Sequence, residues 1–169
     1  MQVATQSQIA DRSVDIAELA REHYALVYRF CARRVGSDLA ADVAQETFLT
    51  AQRRNRAFHG RSAVTTWLVG IAFNECRRAL RTKRREPPPI EIDLAVTPSA
   101  EAALIDRHAL QQAMNKLSPD HREVVLLHEL DGLTYEEAAK VLGVPVGTVK
   151  SRLHHAFVHL RRTLEGGAE

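Results

Sequence analysis

Apolar residues in the first half of the chain recur with the period of an α-helix. Between residues 16 and 30 they fall three, four and seven positions apart, so they share one helical face: Ile16, Leu19, His23, Leu26, Val27 and Phe30. Gly36 is suited to end this helix. A second helix is expected from Ser37 or Asp38, burying Leu39, Val43, Phe48 and Leu49. A third is expected from about residue 63 to residue 84, with Trp67, Leu68, Ile71, Ala72 and Leu80 available for a core.

The second half of the chain carries clear signals for where helices begin. A helix is expected from Ala100 to Leu117, after which Ser118 supplies an N-cap and Pro119 the first helical position. The apolar segment that follows should stop at Gly132. The four residues from Thr134 to Glu137 form a capping box, in which the threonine and glutamate satisfy each other's free N–H groups. The helix that they open should end at Gly143, and a last helix should run from about Val146 to Leu164.

A proline-rich segment separates these two halves. Residues 86–99 hold four of the six prolines, which lack the N–H that a helix needs and clash with the preceding turn. Strand-like alternation of apolar and polar residues is absent. The pattern predicts an all-α protein with two small helical domains on a Pro-rich flexible linker: a disordered tail at 1–14, domains at 15–86 and 107–165, and a linker at 87–106.

Composition bounds the class of protein. A chain of 169 residues and 18.9 kDa suits one ordinary domain or two small ones, and 45% apolar with 26% charged residues excludes a wholly disordered chain. Neither a long apolar run nor a secretory signal is present, so we expect a cytoplasmic protein that is not itself membrane-embedded. Cys31 and Cys76 lack CxxC spacing, which argues against a disulfide framework or a zinc ribbon.

Charge is distributed unevenly, although the net charge is only +2. Residues 1–89 carry 15 Lys/Arg and 9 Asp/Glu, which gives a local charge of +6. Residues 90–106 carry no Lys/Arg and 4 Asp/Glu, which gives −4. Residues 107–169 carry 8 Lys/Arg and 8 Asp/Glu, so their charges cancel. Six of the basic residues fall within nine positions at the end of the third helix: Arg77, Arg78, Arg81, Lys83, Arg84 and Arg85. The helix macrodipole explains two or three of them. Contact with nucleic-acid phosphates explains the set better, and a solvated basic face is the alternative.

The last helix has one apolar stripe, formed by Val149, Leu153, Ala156, Leu160 and Leu164. Its opposite face is polar or basic and holds no acid before Glu165. A short helix, a turn with Gly143 and then such a helix is the helix-turn-helix arrangement, whose second helix enters the major groove of DNA. An ordinary helical hairpin with a solvated polar face is the alternative.

Several motifs in this order resemble those of bacterial extracytoplasmic-function (ECF) sigma factors. The motifs, over about Ile16 to Arg162, are DVAQETF at 42–48, TTWL at 65–68, IAFN at 71–74, LSPDHRE at 117–123 and GVPVGTVKSRL at 143–153. The resemblance implies a subunit that binds core RNA polymerase, directs it to the −35 and −10 promoter elements and helps open DNA. It implies no enzyme activity, cofactor, metal or small-molecule substrate. Sigma region 2 would be the first domain and sigma region 4 the second.

The resemblance also assigns residues to partners. Asp42, Gln45 and Glu46 would dock on the clamp helices of the polymerase β′ subunit, and the β flap is the other expected contact on the polymerase. The −10 element would be bound by Arg56, Phe58, His59, Arg61, Ser62, Asn74, Arg77, Arg78 and Arg81. The −35 element would be read by Thr148, Lys150, Ser151, Arg152, His154 and His155. An anti-sigma factor is the implied regulatory partner.

Two other classes of protein share some of these sequence features or must be weighed against them. A stand-alone helix-turn-helix regulator with an N-terminal dimerisation or ligand domain is the main alternative, and it would bind duplex DNA without polymerase. An enzyme finds little support, because the sequence lacks a P-loop, a Gly-x-Ser-x-Gly motif and suitably flanked carboxylates. His155 and His159 could share a metal ion, but no carboxylate or thiol lies within that turn, so no metal site is expected.

Overall fold

The computed structural model describes residues 15–55, 63–83, 86–89 and 100–165, with the backbone alone for 100–106. Within these ranges the chain forms α-helices, one π-helical segment and no strand, which confirms the all-α prediction. The helices are α1 (Ile16–Val35), α2 (Ser37–Arg54), α3 (Val64–Lys83), α4 (Ala100–Lys116), α5 (Pro119–Val125), α6 (Tyr135–Leu142) and α7 (Val146–Glu165). The π-helical segment is Leu126–Leu130.

The N-terminal block consists of α1, α2 and α3, each packed against the other two. Asp15 caps α1, since its carboxylate accepts hydrogen bonds from the N–H groups of Ala17 and Glu18. Gly36 ends α1 at φ +84°, a backbone conformation that side chains disfavour, and α2 begins at the next residue. The buried residues include Val27, Phe30, Val43, Leu68 and Ala72.

The C-terminal block consists of α4 to α7, with α7 packed against the other three helices. Ser118 caps α5, and the predicted capping box of Thr134 and Glu137 opens α6. Gly143 ends α6 in the left-handed conformation at φ +68°. These starts and stops confirm the sequence prediction. The π-helical continuation of α5 was not predicted, and it delivers Asp131 to a buried position at its end.

The two blocks pack together, and their buried apolar residues form one continuous cluster. Contacts between α3 and α6 cross the boundary. Residues 100–106 of the predicted linker are already helical, because α4 begins at Ala100. The predicted N-terminal tail (1–14) and most of the linker lie outside the described residues.

Two predicted core residues are exposed instead. Leu49 is 48% exposed and Leu164 is 41% exposed. Leu49 follows Phe48 by one position, so it is turned by 100° away from the core that Phe48 reaches. Leu164 lies in the last turn of α7, beyond Leu160, where the buried stripe ends.

Candidate nucleic-acid and polymerase interfaces

The outer face of α7 is positioned by the buried stripe on its other side. Val149, Leu153, Ala156 and Leu160 are buried, which leaves the predicted DNA-reading residues on the surface. Lys150, Ser151, His154 and His155 are exposed, whereas Thr148 and Arg152 are half-buried. The structure therefore brings all six together along the first three turns of one helix.

Lys150 and Arg152 both have partners within the C-terminal block. The Lys150 ammonium lies 5.4 Å from the centroid of the Tyr135 ring, a cation–π contact that joins α7 to the first residue of α6. The Arg152 guanidinium lies 2.5 Å from a carboxylate oxygen of Asp120 in α5. Asp120 therefore competes with a base or a phosphate for the guanidinium of Arg152.

Histidines cluster beside this face. The His121 ring of α5 lies 6.2 Å from the His155 ring and 6.0 Å from the His159 ring, measured between centroids. Within the described part of the chain, no group of three His, Cys, Asp or Glu side chains is arranged to hold a metal ion.

The exposed face of α3 carries one asparagine and three arginines that the family resemblance assigns to the −10 element. Asn74, Arg77, Arg78 and Arg81 are all exposed and follow one another at helical spacing. Arg77 lies over the Phe73 ring at 5.7 Å. Arg78 instead pairs with Glu75 at 3.0 Å and with Glu46 at 3.5 Å. The other predicted −10 residues lie outside the described residues: Arg56, Phe58, His59, Arg61 and Ser62.

The predicted polymerase-binding residues lie on α2, opposite its buried side. Asp42 and Gln45 are exposed and Glu46 is half-buried. Leu49 belongs to the same face, so an apolar side chain extends this polar surface by one turn. Sequence reasoning missed this contribution because it counted Leu49 as core.

A cleft of about 470 Å³ between α2 and α3 joins the two predicted surfaces. Asp42 and Glu46 line it from α2, and Glu75 and Arg78 line it from α3. Glu46 also pairs with Arg53 at 3.2 Å. The predicted polymerase surface and the predicted −10 surface are therefore linked through the ion pair between Glu46 and Arg78.

An ionic cluster that was not predicted lies between the two blocks. Arg34 at the end of α1 binds Glu123 of α5 through its Nε (2.8 Å) and Nη2 (2.6 Å), and Nη2 also binds Asp131 (2.8 Å). The other Asp131 oxygen accepts from Arg33. Burial alone would lower the pKa of the Arg34 guanidinium, but the two carboxylates overcome this and raise the pKa above its ordinary value. The sequence contains one signal for this cluster, the pair Arg33 and Arg34 in the last turn of α1. A favourable interaction with the helix macrodipole explains that pair as well as a contact with the other block does.

A second contact crosses the boundary near the start of α3. The Thr66 hydroxyl donates a hydrogen bond of 2.5 Å to the carboxylate of Glu137, the same side chain that completes the capping box. The hydrogen bond from Thr66, followed by that from the Thr134 backbone, lowers the pKa of Glu137. The helix-turn-helix is thus connected directly to the N-terminal block.

The two cysteines are buried neighbours inside the N-terminal block. Cys31 of α1 is 0% exposed and Cys76 of α3 is 2% exposed. Both are free thiols. Hydrogen bonding with Cys31, together with burial, raises the pKa of the Cys76 thiol. This environment is typical of a structural cysteine.

None of the described helices has the length and apolar character that a membrane span requires.

Two family models match the chain in the order of its two blocks. The family described as Sigma-70 region 2 matches residues 19–86, and the family described as Sigma-70, region 4 matches residues 107–160. The first range covers most of α1, all of α2 and α3, and ends just before the prolines, and the second covers most of the helices from α4 to α7.

Curated relatives and a solved structure agree with these matches. The chain is 36% identical to the ECF RNA polymerase sigma-E factor of Salmonella typhimurium, over 74% of this chain and 73% of the relative. It is 32% identical to the RNA polymerase sigma-H factor of Pseudomonas aeruginosa, over 91% of this chain and 87% of the relative. It is also similar to the sigma factor RpoE of Bartonella quintana, solved in complex with the anti-sigma factor NepR. That similarity has a TM-score of 0.66 and 28% identity and covers 89% of this chain and 97% of the other.

Proposed function

This chain belongs to the extracytoplasmic-function subfamily of the sigma-70 family of RNA polymerase sigma factors, and from that premise we propose how its surfaces divide the work of transcription initiation. The chain binds core RNA polymerase, directs it to promoters with −35 and −10 elements and helps open the DNA. Residues 15–86 act as region 2 and residues 107–165 as region 4. The protein contributes binding energy and supplies no reacting group of its own.

The outer face of α7 is the surface that reads the −35 element. Lys150, Ser151, His154 and His155 stand exposed on one helix that follows a short capped helix and a tight turn. Thr148 and Arg152 lie beside them at the groove edge. Because no acid occurs on α7 before Glu165, the helix itself brings no negative charge to the phosphates, and the Asp120 carboxylate beside Arg152 comes from α5. This acid-free face, held outward by a fully buried stripe, is the observation that carries the proposal.

The exposed side of α3 binds the −10 region. Arg77 and Arg81 offer exposed guanidinium groups for backbone phosphates, and Asn74 lies one turn before Arg78 on the same face. The segment 56–62, directly before α3, takes part through Arg56, Phe58, His59, Arg61 and Ser62, as the family resemblance implies. Arginines of this kind position a protein on DNA without reading sequence.

The α2 face with Asp42, Gln45 and Glu46 docks on core polymerase. Its two carboxylates and amide suit a basic partner such as the β′ clamp helices, and Leu49 adds an apolar anchor among them. Region 4 makes the second contact, with the β flap. An anti-sigma factor controls the protein by covering these surfaces, a proposal supported by the solved RpoE of Bartonella quintana, which is bound to the anti-sigma factor NepR.

A gel-shift and transcription experiment tests the proposed function. Free protein, core polymerase and their mixture are compared on a library of −35/−10 duplexes. We expect specific binding and transcripts with the mixture only. Strong specific binding by the free protein would instead indicate a stand-alone regulator, in which residues 19–86 would not serve to bind polymerase.

Whether individual residues act as proposed is measured in the same assay. Arg152→Ala should change the order of preference among −35 variants, because a base contact discriminates sequences. An equal loss on every −35 variant would show that Arg152 touches only phosphate.

A further inference from the structure

Four of the eight histidines lie together where α5 meets α7, beside the face proposed to read the −35 element. The His121 ring of α5 has its centroid 6.2 Å from the His155 ring and 6.0 Å from the His159 ring. The His154 and His155 rings meet edge to face at 5.6 Å. We call these four residues the histidine cluster. His154 and His155 belong to the proposed reading face, whereas His121 and His159 have no role in the contacts proposed above.

The rings of the cluster can be reached from solvent. The three histidines of α7 are exposed, and His121 is half-buried. Arg152, His155 and His159 share one stripe of α7, because three and four positions separate them. This stripe borders α5, since Arg152 contacts Asp120 and both histidines contact His121. A ligand that reaches Arg152 from outside therefore meets three imidazole rings along the same edge.

The permanent charges of α5 beside the cluster already have partners. Asp120 pairs with Arg152 at 2.5 Å. Arg122 donates to backbone carbonyls at the end of α4, and Glu123 pairs with Arg34. Besides Arg152, α7 itself adds cations and no acid before Glu165: Lys150, Arg161 and Arg162. Both carboxylates of α5 are thus engaged by arginines, and the rings stay available to an anion.

The other elements packed against α5 and α7 carry charges of both signs. The described titratable or charged side chains of α4 are Arg107, His108 and Lys116. Those of α6 are Tyr135, Glu136, Glu137 and Lys140. The π-helical segment adds Glu129 and also His128, whose ring stacks on the Tyr135 ring at 4.5 Å. The permanent charges among these side chains cancel, so the net charge of the junction changes with the protons bound to the histidine cluster.

We propose that the histidine cluster is a phosphate-binding site that works when protonated, and that His121 and His159 extend the −35 surface onto the DNA backbone. The inference rests on the proposed function of α7. Imidazole is the side chain that ordinarily changes its charge between about pH 5 and pH 8. Neutral rings offer a phosphate no cation, whereas protonated rings offer several along one edge.

Binding of protons and binding of DNA should favour each other at this site. Imidazolium charges on neighbouring rings repel one another. DNA phosphates placed beside the rings offset this repulsion, so the DNA-bound cluster holds more protons than the free cluster. Because the coupling is reciprocal, the affinity for DNA rises as the pH falls. Each added cation on a phosphate also steepens the dependence of that affinity on salt concentration.

Fluorescence anisotropy of the polymerase complex on a −35 duplex tests the site. Each protein is compared with itself at about pH 6 and about pH 8, so a change in basal affinity cancels in the ratio. The parent should bind about tenfold tighter at the lower pH, since two or three exposed cation–phosphate pairs contribute about two- to threefold each. His121→Gln/His159→Gln should reduce this gain to about threefold or less, because only His154 and His155 remain.

The matched control is His23→Gln/His108→Gln, which removes two histidines outside the cluster and should keep the gain of the parent. Circular dichroism at both pH values checks that all variants fold. His159→Gln alone, at an exposed position, gives a smaller loss of the gain if the double variant does not fold. A full gain in the folded cluster variants, or no gain in the parent, would overturn the proposal.

The second measurement uses the free full chain and sulfate, a dianion that stands in for phosphate. The imidazole NMR signals of His121, His155 and His159 are followed as sulfate replaces chloride at constant ionic strength. Their apparent affinity for sulfate should be about fivefold higher at pH 6 than at pH 8. Signals of His23 and His108 should not respond, and an equal response of all histidines would overturn the site.

The two measurements separate this site from the proposed function. If the polymerase complex bound no −35 duplex at either pH, the proposed function would fail. The sulfate titration needs neither polymerase nor DNA, so it would still decide whether the histidine cluster binds a phosphate-like anion.

Discussion

The Thr66 hydroxyl at the start of α3 donates its hydrogen bond to the Glu137 carboxylate that caps α6. Because this bond stabilises the charged carboxylate, it is the largest cause of the lowered pKa of Glu137. A lowered pKa in the folded state means that Glu137 stabilises the fold above its unfolded pKa, near 4.5, and that this stability is lost as the pH falls through the folded value.

Thr66→Val should therefore raise the pKa of Glu137 towards its ordinary value and flatten the loss of stability below about pH 4.5. The backbone and side chain of Thr134 still hydrogen-bond to Glu137 in this variant, so part of the lowering of the Glu137 pKa should remain. Carboxyl NMR titration of Glu137 measures the shift. Thr65→Val, one position away, is the matched control, and an identical shift in both variants would show that the bond from Thr66 is not the cause.

The two thiols should be unreactive in the folded protein. Cys31 and Cys76 are buried, and a raised pKa at Cys76 reduces the thiolate that attacks thiol reagents. Titration with an aromatic disulfide reagent at pH 8 should detect neither thiol in buffer and both thiols in denaturant. Rapid reaction of either thiol in buffer would contradict the packing of α1 against α3.

Much of the fold follows from local signals in the sequence. Gly36, Ser118, the Thr134–Glu137 capping box and Gly143 each act within a few residues, and the structure has helix ends where they predict them. The buried stripes of α1 and α7 follow from helical periodicity. Leu49 was assigned wrongly because it lies 100° from Phe48, on the polar face of α2. Leu164 was assigned wrongly because periodicity gives a face and not the point along the helix at which neighbouring helices stop covering it.

Long-range contacts could not be predicted in the same way. Arg34 and Glu123 are 89 positions apart, and neither residue carries a local signal that distinguishes it from a solvated surface charge. The ion pair between Glu46 and Arg78 was not predicted for the same reason. The family resemblance assigns Glu46 to core polymerase and Arg78 to the −10 element, and neither assignment indicates that the two side chains meet. The assignment of DNA and polymerase residues came from the resemblance to a family, and it remains a prediction for each side chain.

Asp120 should weaken the binding of the −35 element, because it occupies the guanidinium of Arg152 at 2.5 Å and adds a negative charge beside the groove. Its side chain is 66% exposed, so the pair contributes at most about 1 kcal/mol to stability. Asp120→Asn should tighten binding of a −35 duplex by the polymerase complex by about two- to fivefold at low salt.

The gain should shrink at higher salt, because screening weakens the charge of Asp120. Fluorescence anisotropy measures the affinity, with Glu129→Gln as a control that removes an equal charge from the same block. Weaker binding by Asp120→Asn would show that Asp120 orients Arg152 for the DNA instead of competing with it.

Arg77 and Arg78 are adjacent on α3 but should differ in their contribution to DNA binding. Arg78 is held by Glu46 and Glu75, so any phosphate must compete with two carboxylates, whereas among the described residues Arg77 lies over the Phe73 ring. Each free cation on a phosphate contributes about one unit to the slope of log affinity against log salt concentration. Arg77→Ala should reduce that slope by about 1, and Arg78→Ala by less than half as much.

Glu75→Gln supplies the complementary test, since it removes the shorter of the two ion pairs while leaving Arg78 in place. If Glu75 restrains Arg78, this variant should steepen the salt dependence, and adding Arg78→Ala should cancel the gain. The measurement is open-complex formation by the polymerase complex across a salt series. Equal slopes for Arg77→Ala and Arg78→Ala would mean that DNA displaces both carboxylates at no cost, and the cleft between α2 and α3 would then have to rearrange on the promoter.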